Sequence, residues 1–346
     1  MVLASGEIVH ANANENADLF WAIRGTSIFS QSHCTYILTY LTAGGGCNFG
    51  VITEFTYQGH PHPDPVYSGM LVFKPDQLET LVETVNTWYE TEGQNPKTCL
   101  FLVIGSPPPE FTPALAAVIF YDGVESEGRR VFKPFFDLNP VADLTNTHPY
   151  VQQVCSSIIR RRAADGFLFF ENAMLNQMLT EGYRRYFKAT ALRNLTIPIL
   201  QAMFDAFVEF TTHVGTHSAE STCFVEFVPR GKINSLPNDS AAYNNRGDWL
   251  NITLIPTWGT RTEYDSYAKE WVDKLIDKFA ALEKFDKRIP AGKEVIGKRG
   301  YFNASMGDED VSVVFGEHYP RLRELKRKYD SEFVFRKWFP IVPAVE

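Results

Sequence analysis

The chain has 346 residues, 45% of them hydrophobic, with 27 Phe, 15 Tyr and 6 Trp. That is enough to bury a sizeable core, and it excludes a disordered chain. A formal net charge of −8 and the lack of an extended basic stripe argue against nucleic acid or an anionic membrane as partner.

The opening Val2–Val9 predicts a hairpin about a Ser5-Gly6 turn. With no helix or strand ahead of it, the chain is expected to begin in mid-domain. Val51–Tyr57 alternates as a strand, and the proline-rich stretch from His60 to Pro65 marks a linker or boundary. Ser68–Phe73 reads as a strand. Asp76–Tyr89 reads as a helix with Leu78, Leu81, Val82, Val85 and Trp88 on one face. Strands Thr98–Ile104 and Ala114–Tyr121 follow, then a helix, Glu125–Lys133, that Pro134 ends. Ile197–Thr212 is a strong helix, Thr222–Val228 and Trp249–Ile255 are strands, and a further helix runs from about Tyr264 to Leu282. Strands joined by short loops, with helices interspersed, predict an α+β layer in which helices cover one face of an antiparallel sheet. Beyond the acidic loop Gly307–Asp310, a helix from about Glu317 to Tyr329 is expected, and Asp330–Phe335 closes the ordered part.

The five cysteines include no C-x-x-C pair, so neither a zinc site nor a disulfide framework is suggested. His10, His33, His60, His62 and His148 read as loop residues, with no metal constellation among them. The basic runs Arg160–Arg162 and Arg321–Lys328 read as solvated faces. No apolar run approaches the roughly 20 residues of a membrane span, and no signal segment opens the sequence.

The most specific signal is a block in two pieces. Asp18–Gly25 reads DLFWAIRG, and Gly44–Thr53 reads GGGCNFGVIT. Joined across Thr26–Ala43 they give one uninterrupted string, DLFWAIRGGGGCNFGVITEF. It is not a dinucleotide fingerprint, because from Gly44 the last glycine position falls on Phe49. Nor is it a phosphate loop, because Val51-Ile52 follows Gly50 where a Lys-Ser/Thr pair is required. What remains is a flexible turn entering a strand. It serves either as a structural turn or as backbone lying against an anionic or planar ligand. Thr26–Ala43, rich in Thr, Ser and aromatics with high β propensity, is either a surface hairpin or a retained intron, since deleting it restores the block.

The other end carries Tyr301-x-Asn303, Phe315 through Leu322, Leu325-Lys326-x-Lys328-Tyr329-Asp330 and Val334-Phe335-Arg336. Between the two ends lie Cys223–Phe227 and Tyr243-Asn244-Asn245-Arg246. Together these resemble the berberine-bridge-enzyme-like, oxygen-dependent FAD-linked oxidoreductases, which carry a PCMH-type FAD-binding domain. The resemblance covers nearly the whole chain apart from Thr26–Ala43.

It implies a partial FAD-binding domain made of both chain ends around an α+β substrate domain. Residues 1–60 would be the carboxyl-terminal remnant of the FAD-binding domain, with 26–43 as a retained-intron insert. Residues 65–290 would be the substrate domain, and 296–346 would return to the FAD domain. The chain is expected to be amino-terminally truncated, without most of the flavin cradle. Asn48, Phe49, Gly50, Val51 and Ile52 are assigned to the flavin-side backbone, and Tyr301 and Asn303 to flavin contact from the other end. Without the resemblance, Tyr301 and Asn303 read as a polar pair at a strand end.

The activity implied is oxidation of a small organic molecule, with hydride passing to FAD and O2 as electron acceptor, serving secondary metabolism in fungi. A tyrosine often acts as base in relatives, but its position here holds Ala304, whose methyl group cannot take a proton. Glu226 and Tyr243 are the replacement candidates, each with an alternative structural role. The competing function is a catalytically inactive domain that binds a small molecule or a partner. Relatives are often secreted or vesicular, and the compartment of this chain stays open.

Overall fold

The computed structural model describes residues 1–24, 44–62, 64–107, 111–150, 182–287, 289, 295–296 and 306–345. Its centre is an eight-stranded sheet in which every pairing is antiparallel. The strands are β1 Val66–Phe73, β2 Thr98–Gly105, β3 Ala114–Tyr121, β4 Ala142–Asp143, β5 Asn146–His148, β6 Lys188–Leu192, β7 Thr222–Phe227 and β8 Leu250–Ile255. They lie in the order β4-β1-β3-β2-β7-β8-β6, with β5 also pairing β1.

The period-2 alternation of each strand sorts its side chains onto two faces. Leu100, Leu102, Ile104, Ala117, Ile119, Val225, Phe227, Ile252 and Leu254 point to one face and form the main core. That core is closed by three helices, α2 (Leu78–Glu90), α5 (Ile197–Val214) and α7 (Asp265–Phe285). The sequence specifies α5 at both ends. The Thr196 side chain accepts from the Ile199 amide, proline occupies the first turn, and Gly215 takes φ 68° at the C-cap. The shorter helices of this layer are α3 (Glu125–Val131) and α4 (Lys133–Phe136), and a further short helix, α6 (Gly231–Asn234), follows β7. The other sheet face presents Met70, Val103, Ala116, Phe224 and Ile255, with buried Thr222, Glu226, Asn251 and Thr253 among them.

A second core joins the chain ends. α1 (Ala17–Ile23), α8 (Val311–Phe315) and α9 (Tyr319–Tyr329) bring Leu3, Leu19, Trp21 and Phe49 against Val314, Phe315, Leu322, Leu325, Phe339 and Ile341. Asp18 fastens α1 to α9 by accepting from the Lys328 ammonium and the Tyr329 hydroxyl, both at 2.7 Å.

The structure corrects several local expectations. Val51–Tyr57 is not a strand: only Val51 pairs, with Val2, and Phe55 and Tyr57 stack exposed on each other. Alternation without a neighbouring strand leaves a segment's amides to water. Pro134 does not end a helix but sits in the first turn of α4, where its missing N–H costs nothing. His148 is no loop residue; it lies buried on β5, 3.4 Å from the Ser68 hydroxyl. The ordered chain also runs past Phe335, because Phe339 and Ile341 are buried in the terminal core. Thr26–Ala43, Arg160–Arg162, Tyr301, Asn303 and Ala304 lie outside the described residues.

Candidate functional site

The glycine-rich turn enters the terminal core as a short 3₁₀ helix, Gly46–Asn48. Gly50 must be glycine: its φ is +154°, and a Cβ would lie 2.4 Å from the Val2 carbonyl oxygen. Asn48 clamps this turn to the end of the chain. Its Oδ1 accepts from the Ile341 amide at 3.0 Å, and its Nδ2 reaches the Gly45, Trp338 and Phe339 carbonyls at 3.1, 3.3 and 3.2 Å. Beneath it the fully buried Lys326 donates to the Asn48 carbonyl at 2.5 Å, to Asp330 Oδ2 at 2.6 Å and to the Phe335 carbonyl at 2.7 Å. Burial pushes the Asp330 carboxyl up, but the Lys326 ammonium and the Val334 and Phe335 amides outweigh it and hold the carboxyl below its usual range.

This clamp shapes a cleft of about 430 Å³ lined by Gly45–Asn48, Gly50–Ile52, Phe55, Phe335 and Trp338. Asn48, Gly50, Val51 and Ile52 of the expected flavin side therefore share one wall. Phe49 is instead fully buried in the terminal core. Gly46, at φ +44°, has open space where a Cβ would stand, which leaves bare backbone there. Cys47 is the one ionisable side chain among the lining residues, and burial raises its thiol pKa. Bare backbone, aromatic edges and a volume in the range of small-molecule pockets suit a planar ring system better than a metal or a single anion. Among the described residues no group of three or more His, Cys, Asp and Glu side chains could hold a metal ion.

The second constellation lies on the sheet face away from the main helices. Glu226 on β7 stands opposite Asn251 on β8 in register, and Asn251 Nδ2 donates to its Oε2 at 3.0 Å. Burial raises the Glu226 pKa, against the Asn251 hydrogen bond and the Arg230 charge, which lower it. The Arg230 guanidinium is itself buried and makes no hydrogen bond among the described residues, so it acts on Glu226 through its field alone. Burial also drives the Tyr243 phenol well above its ordinary range, although the Arg230 and Arg246 charges oppose it. Glu226 and Tyr243 thus share one buried electrostatic environment. Of the two, the carboxyl is the better proton acceptor.

The loop Ala241–Arg246 connects this constellation to the terminal unit. Just before it, the Trp21 indole donates to the Asp239 carbonyl and the Arg24 guanidinium to the Ser240 carbonyl, both at 2.6 Å. Ala242 packs in the terminal core, and its amide donates to Trp21. Sequence reasoning missed Asn251 and Trp338, and it took Lys326 for part of a solvated basic face, which the complete burial of the Lys326–Asp330 pair corrects. Trp338 and the Lys326–Asp330 pair lay inside or beside the quoted carboxyl-terminal motif, whereas the Asn251-Ile252-Thr253 triplet gave no sign of the contact with Glu226.

The profile of the family described as "Berberine and berberine like" matches residues 300–340. The FAD-linked oxidoreductase pgmH of Aspergillus terreus is 30% identical over 99% of this chain and 64% of its own length. The chain thus spans just under two thirds of that curated relative. Among solved structures, wild-type Physcomitrella patens BBE-like 1 superposes with a TM-score of 0.71 at 17% identity, covering all of this chain and 64% of that one. A variant of berberine bridge enzyme in complex with (S)-reticuline gives 0.69 at 15% identity, again over 100% and 64%. Their fold is the PCMH-type arrangement that the two cores and the antiparallel sheet form here. Together the carboxyl-terminal profile match, the full-chain similarity and the shared fold support assigning this chain to the berberine-bridge-enzyme-like, FAD-linked oxidoreductases.

Proposed function

We propose that this chain oxidises a small organic molecule, with its two joined ends providing one wall of an FAD site and the sheet carrying the proton-transfer group. The observation that carries the reading is the charge-free cleft formed by the Gly45–Ile52 turn, Phe335 and Trp338. When bound, FAD supplies a two-electron acceptor that takes hydride from the substrate and is reoxidised by O2, giving peroxide. The chain supplies orientation and a place for the proton. The turn offers backbone against which a ring can lie, and the Lys326–Asp330 clamp keeps that wall rigid. Glu226 accepts the proton that the substrate loses alongside hydride, and the burial that raises its pKa makes it a stronger base than an exposed carboxylate. Tyr301 and Asn303 would approach the flavin from the carboxyl-terminal side. The division into 1–60, 65–290 and 296–346, with 26–43 as an insert, belongs to the same reading. A role in fungal secondary metabolism belongs to the same reading, and the similar FAD-linked oxidoreductases come from fungi.

Ala304 favours a second reading, a domain that binds a small molecule without turnover. Purified protein with a yellow flavin spectrum and peroxide production would reject it. A colourless protein that cannot be reconstituted with FAD would reject the oxidase reading for this chain.

A further inference from the structure

An indole and two side-chain amides form a hydrogen-bond ladder that ends on Glu226. The Trp249 indole N–H donates to Asn245 Oδ1. Asn245 Nδ2 donates to Asn251 Oδ1 at 2.9 Å, and Asn251 Nδ2 donates to Glu226 Oε2 at 3.0 Å. Every rung donates toward the carboxylate, so each polarises the next. All four residues are buried, at 7%, 3%, 1% and 4% exposure for Trp249, Asn245, Asn251 and Glu226. The indole has no acceptor lone pair, which fixes the direction of the first rung and, through it, the orientation of both amides. Glu226 Oε2 is held by the last rung, while Oε1 receives no hydrogen bond among the described residues.

We propose that Asn245 and Asn251 are positioning residues that tether one oxygen of Glu226 and leave the other to take a proton. This rests on the reading of Glu226 as the proton acceptor. The same loop also reaches the terminal unit: the neighbouring Asn244 directs its Nδ2 at the Val313 and Val314 carbonyls, at 3.5 and 3.4 Å. Adjacent asparagines thus key one loop to both halves of the proposed site. The charged or titratable groups coupled to Glu226 are Arg230 and Tyr243, which act on it through charge, so among the described residues the carboxylate is gripped by the ladder.

The test is a pH titration of the Glu226 carboxyl stretch by infrared spectroscopy on the full chain, with the band assigned through Glu226→Gln. Asn251→Leu removes the donor to the ionised form and should raise the midpoint by about one pH unit, tenfold in the protonation equilibrium. Asn245→Leu leaves the Asn251–Glu226 contact in place and should raise it less, in the same direction. It keeps the test decisive if the first variant does not fold. Midpoints unchanged in the folded variants would overturn the ladder. The measurement needs neither flavin nor substrate. Failure to bind FAD would therefore overturn the proposed function and leave the ladder standing.

Discussion

The Gly45 amide donates to the Ala22 carbonyl at 2.6 Å, across the whole of Thr26–Ala43. A Cβ on Gly44 would lie 2.3 Å from the Arg24 carbonyl oxygen, so the two sides of that segment touch. A single residue, Gly25, suffices to bridge them, since consecutive Cα atoms sit about 3.8 Å apart. Deleting residues 26–43 should therefore leave a folded protein with an unchanged or higher Tm. Circular dichroism and thermal melting check this; an unfolded deletion variant would show that the segment belongs to the fold.

Lys326 and Asp330 form a fully buried pair beneath the cleft wall. Lys326→Met strands the carboxylate without its cation, and should cost about 3–5 kcal/mol in urea unfolding. Replacing both, as Lys326→Met with Asp330→Leu, should cost less than the single change, because no charge is then left buried alone. A double variant as unstable as the sum of its singles would contradict the pairing.

Asp308 ties the 306–310 loop to the sheet by accepting from the Tyr186 hydroxyl at 2.5 Å and pairing with Lys269 and Lys188 at 2.9 and 3.3 Å. Burial alone would raise its pKa, but these partners lower it from 3.8 to about 2. The unfolded state therefore binds this proton first as pH falls, so the contribution is fully present above 3.8 and is lost as pH drops through about 2. Wild-type protein should lose stability over that window, and Asp308→Asn should lose less over it. Identical acid profiles would contradict the assignment.

Gly316 holds φ +50°, and a Cβ there would stand 2.4 Å from Asn244 Nδ2. Gly316→Ala should destabilise by about 1–3 kcal/mol through strain and displacement of Asn244. Adding Asn244→Ala should recover part of the loss, which chemical denaturation of the two variants resolves.

The main helices and the longer strands were legible because their apolar positions repeat at 3.6 or 2 residues, as along α2 and α5. β6, with the sequence KATAL, escaped because five residues without flanking turn signals carry too little pattern, and β4 and β5 are shorter still. The segment after Val51 was misread because alternation reports a possible face and says nothing of a partner strand. At the site, Glu226 and Tyr243 could be named from the sequence. The carboxylate's anchor could not, since Asn251 differs from any strand asparagine only by the residue across from it. The inward clamp of Asn48 depends on Ile341, 293 positions away, which no local pattern encodes.

Titration of the purified chain with FAD, followed by flavin fluorescence, tests most directly whether the cleft between the Gly45–Ile52 turn and Trp338 is the flavin wall. Val51 is 55% exposed on that wall, so Val51→Arg should leave the fold within about 0.5 kcal/mol of wild type while filling the cleft. The account predicts saturable quenching with the wild-type chain and at least about tenfold weaker binding with Val51→Arg, a loss of roughly 1.4 kcal/mol. Equal FAD affinity in the two proteins, or none in the wild type, would contradict it.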